Sequence, residues 1–222
     1  MESVTVPSFD RDALADFYAK ISAGEGVSVA GFQQELDELF GRYRSPADLN
    51  DYRLSRGLWK KLADEVAPLS RLLRLRGIDS GRVRLPLDDH PPDCWLWETA
   101  GADPVGIEVT IALGRERYYL KSKMVREGIG RGFLGVREDA RQADFSLALA
   151  RPRAMYTPAH ALAAVEQGIC RRLAQKNYPK FAGFILLIEA PYIAARGPLA
   201  GDPARTRGCG RAASIPGSAR DG

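Results

Sequence analysis

Residues 105–113, VGIEVTIAL, constrain the fold of this chain more than any other segment. Val105, Ile107, Val109, Ile111 and Leu113 fall at every second position, the period that puts strand side chains on one face. Gly106, Glu108, Thr110 and Ala112 take the other face. Glu108 is the anomaly. A carboxylate inside so apolar a strand costs free energy unless it is exposed or paired.

The segments around this strand alternate between helical and strand-like patterns. Asp10 is a candidate cap for a helix carrying Leu14, Phe17, Tyr18 and Ile21. Ser28 opens a second helix with Phe32, Leu36, Leu39 and Phe40 on one face. Ser45-Pro46 is an N-cap followed by proline at N1. A long basic helical stretch follows, expected to kink or break at Pro68 and to stop near Gly77. Residues 82–87 alternate like a strand, and residues 93–98 read as a second one after the turn Asp88-Asp89-His90-Pro91-Pro92.

Residues 114–156 carry ten basic and five acidic side chains and are expected to form a basic insertion around the loop GIGRGFLG. Thr157-Pro158 starts another helix, with Leu162, Val165, Ile169 and Leu173 on one stripe. Residues 184–188 then form a wholly apolar run, expected as a buried central strand.

The balance of 32 basic against 28 acidic residues gives a net charge of only +4, so the distribution of charge says more than its sum. No stretch reaches the ~20 apolar residues that span a bilayer. With no secretory leader at the N-terminus, the expected location is cytoplasmic. Three scattered cysteines without a CxxC pair give no zinc-site spacing. From residue 195 the chain is rich in glycine and arginine without aromatics, and is expected to be a disordered tail.

Two acids fall at defined places in this order of elements. Asp93 starts the second strand directly after Pro91-Pro92. Glu108 lies on the third among small neighbours, which leave space for a hydrated cation and a phosphate. If these strands pair as a hairpin, the two carboxylates approach closely enough to share a cation.

On Pro92-Asp93 and Glu108-Val109-Thr110, the chain resembles the restriction-endonuclease-like, or PD-(D/E)xK, nucleases over roughly residues 46–190. The resemblance implies an α/β fold with an αβββαβ core at 46–194, preceded by a helical N-terminal extension at 1–45. It implies that Asp93 and Glu108 are metal ligands for Mg²⁺ or Mn²⁺. It also implies metal-dependent hydrolysis of phosphodiester bonds in nucleic acid, DNA ahead of RNA, with basic residues of 114–153 and Arg71, Arg74 and Arg76 along the backbone. Where the family usually has lysine two residues after the acid, this chain has Thr110. Some members carry that lysine on the helix after the sheet. Lys176 lies seven residues after Ile169, about 340° around a helix, and so points with the apolar stripe. Lys176 is the first candidate for the migrated position and Arg172 the second.

Each residue also has a plainer reading. Asp93 can cap backbone amides at a strand end. Glu108 can face solvent. Lys176 can snorkel from a last helical turn. The Asp88, Asp89, His90 and Asp93 group reads as a solvated turn more readily than as a metal cluster, and His160 as a surface or packing histidine. Trp95 and Trp97 read as core or interface. On these grounds a catalytically degenerate module on the same fold, binding DNA or a protein partner, is the alternative function. An unrelated interaction protein is a third.

Overall fold

The computed structural model describes residues 11–99, 101–128, 132–151 and 157–191. Asp10, Arg131, Arg153 and the segment from residue 195 lie outside them, and with them the expectations for that cap, those cations and the tail.

Three of the expected helix starts are set by local chemistry. Ser28 Oγ accepts from the Gly31 amide at 3.1 Å, Ser45 Oγ from Asp48 at 3.1 Å, and Thr157 Oγ1 from His160 at 3.2 Å. Each satisfies a backbone donor that the first helical turn leaves without a partner. They open α2 (Val29–Gly41), α3 (Pro46–Arg53) and, far downstream, α8 (Pro158–Lys176). Before them, α1 (Arg11–Ser22) buries Leu14, Phe17 and Ile21.

The basic stretch that opens with α3 does not break at Pro68. It breaks earlier, between residues 54 and 58, where Ser55 and Gly57 take positive φ. From Trp59 to Leu75 the helix then runs through α4 (Trp59–Lys61), a π-helical turn (Leu62–Val66) and α5 (Ala67–Leu75). The wide turn immediately precedes Pro68, where the ring supplies no N–H to the helical ladder.

Among the described residues five strands form one sheet in the order β1 (Val27–Ser28), β2 (Arg82–Arg84), β3 (Cys94–Trp97), β4 (Val105–Ile111) and β5 (Ile185–Glu189). The first four are mutually antiparallel, and β5 runs parallel to β4 with Glu108 beside Leu186. The architecture is therefore mixed α/β. Ile107 and Val109 pack into one core with Phe17, Phe32, Trp59 and Leu73, so the N-terminal helices complete the main core rather than extend from it.

Three expectations are corrected here. Residues 185–189 form the last strand in the sheet order, with Ile185 half exposed, and not a buried central strand. An apolar run does not report which neighbours cover it. The α8 stripe is only partly covered, since Leu162 and Leu173 are exposed while Ala161 and Gly168 are buried. A Cβ on Gly168 would lie 3.1 Å from Leu113 Cδ2, so the helix closes through its small residues on the turn between β4 and the helix that follows it.

The third correction concerns the basic insertion, which is largely helical. It contains α6 (Gly114–Glu127) and α7 (Gln142–Ala150), packed around Leu134, Phe145, Ala148 and Leu149. Its charges mask a short apolar seam that includes Tyr119 and Leu120.

Candidate functional site

The β3–β4 register pairs Cys94 with Ile107. One further step along the antiparallel ladder sets Asp93 opposite Glu108. The Val109 amide donates to Asp93 Oδ2 at 2.7 Å, which fixes that carboxylate against β4. Asp93 thus does cap a backbone amide, and does so beside Glu108.

Glu108 is only 6% exposed, so the solvent-facing reading does not hold. Lys176 Nζ donates to Glu108 Oε1 at 2.5 Å. Lys176 also lies 4.5 Å from the centre of the Phe181 ring, a cation–π contact that holds the ammonium beside the sheet. Glu108 Oε2 is buried and has no hydrogen-bond partner among the described residues. A buried carboxylate oxygen without a donor is costly, and a cation would relieve it.

The space beside Glu108 is smaller than its neighbours suggest. A Cβ on Gly106 would meet the Phe184 ring at 2.5 Å and Pro92 at 3.1 Å. The glycine admits an aromatic ring rather than a hydration shell. Trp95 packs edge-on against the same Phe184, a packing role.

Glu65 and Lys61 belong to this region and were not anticipated from the sequence. Lys61 Nζ bridges Glu65 at 3.0 Å and Asp89 at 3.5 Å, and donates to the Asp88 carbonyl at 2.8 Å. Glu65 Oε2, like Glu108 Oε2, is buried and unpartnered. Burial, then the nearby Asp93 charge, pushes the Glu65 carboxyl up to about 7 against the pull of Lys61. Asp93 is raised as well, by burial first and by Glu108, opposed by the Val109 amide, Lys176 and Lys61. Asp93 is thus electrostatically coupled to both Glu65 and Glu108, with two lysines opposing these acids.

A signal for Glu65 was present. It lies three residues after Leu62 and four before Leu69, on the buried stripe of its helix, much as Lys176 lies on that of α8. The π turn that sets its direction carries no comparable mark.

The remaining candidates lie elsewhere. Arg172 donates through Nε to the Ile111 carbonyl at 2.8 Å and through Nη2 to Glu138 at 2.7 Å, so it ties α8 to the end of β4 and to the insertion. Asp89 is fully exposed, and the His90 amide closes a turn on Asp88 Oδ1 at 3.0 Å.

Among the described residues no three His, Cys, Asp or Glu side chains converge as a ready-made metal site. The donor chemistry nevertheless fits a hard divalent cation: Asp93 and Glu108 are oxygen donors, and Glu108 Oε2 is unclaimed. No family model, curated protein or solved structure matches this chain. No helix among the described residues is long and apolar enough to cross a membrane.

Proposed function

We propose that this protein is a metal-dependent nuclease whose site is built on Asp93, Glu108 and Lys176. The observation that carries the proposal is the Lys176 ammonium held on Glu108 across the ladder from Asp93. With the insertion helices α6 and α7 set aside, the order from α5 to β5 is helix, three strands, helix, strand, which supports a restriction-endonuclease-like core.

Asp93 and Glu108 would hold Mg²⁺ or Mn²⁺. The bound cation would polarise the scissile phosphate and lower the pKa of the attacking water. The Val109 amide keeps Asp93 from rotating away from its place beside Glu108. Lys176 offers N–H donors to a water or to the charge that grows on the phosphate oxygens, and Phe181 limits its swing. In this role Lys176 serves in place of a lysine at Thr110. Arg76 would supply a cation for the nucleic-acid backbone, whereas Arg71 and Arg74 are paired with Glu189 and Asp37.

The test is incubation of the full chain with labelled single- and double-stranded DNA and RNA, with Mg²⁺, Mn²⁺ or EDTA. Metal-dependent cleavage is expected, abolished by Asp93→Asn. Metal-independent, salt-sensitive binding without cleavage would favour the degenerate nucleic-acid-binding module.

A further inference from the structure

A cavity of about 640 Å³ opens at the carboxyl ends of the parallel pair β4 and β5. It shares no lining residue with the Asp93–Glu108–Lys176 site. Its volume falls within the range of small-molecule sites, and the carboxyl ends of parallel strands are where open α/β sheets bind ligands. Ile111, Leu113 and Leu120 supply apolar wall; Arg71, Arg117 and Lys121 supply charge.

These cations are not balanced. Glu189 is shared, its Oε1 accepting from Arg71 and its Oε2 from Arg117, each at 2.5 Å. Lys121 makes no hydrogen bond or ion pair among the described residues. Glu116 also lines the cavity, but its oxygens are taken by the Leu134 and Val136 amides at 3.0 and 3.4 Å. Among the described residues one half-buried ammonium is therefore without a contact ion pair, beside two guanidinium groups that share one carboxylate.

We propose that this cavity binds a small organic anion, with a phosphate or carboxylate head among Arg71, Arg117 and Lys121 and an apolar body against Ile111, Leu113 and Leu120. Guanidinium pairs match the geometry of either head group. Burial, followed by the charge of Arg117, lowers the Lys121 amine to about 8. Arg71 from α5 lowers it further; Asp64 from the π turn and Glu189 from β5 oppose the shift. An anion seated on the amine favours its protonated form, so affinity falls as pH rises through this range.

The experiment is calorimetric titration of the full chain with phenyl phosphate and with phenylacetate, using inorganic phosphate and phenol as head-only and body-only probes. At least one of the two complete probes is expected to bind about tenfold or more tightly than either fragment. Which one does so identifies the head group. Lys121→Met should weaken that binding about tenfold or more, and Lys121→Arg, which stays charged, should hold it between about pH 7 and pH 9 while the parent loses affinity. The proposal is overturned if neither complete probe saturates the protein by about 10 mM. It is overturned equally if Lys121→Met binds as the parent does, or if Lys121→Arg shows the parental loss with pH.

Discussion

Glu108 and Glu116 lie eight residues apart, on β4 and on the helix that follows it, and both carboxylates are buried. Their surroundings differ in kind. Both Glu116 oxygens accept backbone amides from the insertion loop, so that carboxylate acts as a template on which residues 134–136 are laid. Glu108 receives one lysine side chain and leaves its second oxygen without a partner among the described residues. Glu138 is intermediate: one of its oxygens is unpartnered, but the other holds Arg172 and the Arg115 amide and joins two elements. A carboxylate bound to backbone serves the fold. One left half-satisfied beside a lysine and a second acid is suited to chemistry.

The sharpest way to break this contrast is Lys176→Ala. Cleavage should fall about 10²–10³-fold while metal and nucleic-acid affinity change little, because the lost donor acts on developing charge. Parental rates in a gel-based assay would remove Lys176 from the reaction. Thr110→Lys in the Lys176→Ala background should restore part of the rate, since it returns an ammonium to the Glu108 strand.

Glu116→Ala should destabilise the fold by about 1–3 kcal/mol for each amide that loses this acceptor, measured by urea unfolding. Glu108→Gln should cost much less, or stabilise the metal-free protein, while weakening Mn²⁺ binding in calorimetry. If Glu108→Gln cost as much stability as Glu116→Ala, the contrast between the two acids would collapse.

The smallest effect concerns Lys121. Its folded-state pKa, near 8, lies below the ordinary 10.5, so between these values the unfolded chain binds more protons and stability rises with pH. The penalty is fully present below about pH 8 and is lost towards 10.5. Lys121→Met should therefore raise Tm at neutral pH, and the gain should shrink as pH rises. A gain constant with pH would argue against a strained ammonium.

What was legible in the sequence was local. The caps at Ser28, Ser45 and Thr157 depend on residues within three positions, and β4 depends on a period of two. Lys176 could be aimed at the sheet because a helix fixes angle by residue count. The edge position of β5, the helices under the charges of residues 114–150 and the seating of Phe184 against Gly106 depend on partners distant in sequence. Nothing nearby encodes them. A helix divided at Pro68 hides the stripe on which Glu65 lies, whereas the helix continues through that proline.

The Glu108–Lys176 contact joins residues 68 apart in the chain. Closing a loop of that length costs on the order of 4 kcal/mol in chain entropy, about 1–2 kcal/mol more than the hairpin between β3 and β4. The hairpins from β2 to β4 can form from short-range contacts; α8 and β5 must arrive across the whole insertion. The site is therefore expected to be among the last parts assembled, with Asp93 and Glu108 facing each other before their lysine docks. A chain still emerging from the ribosome would hold the acids without the ammonium that faces them.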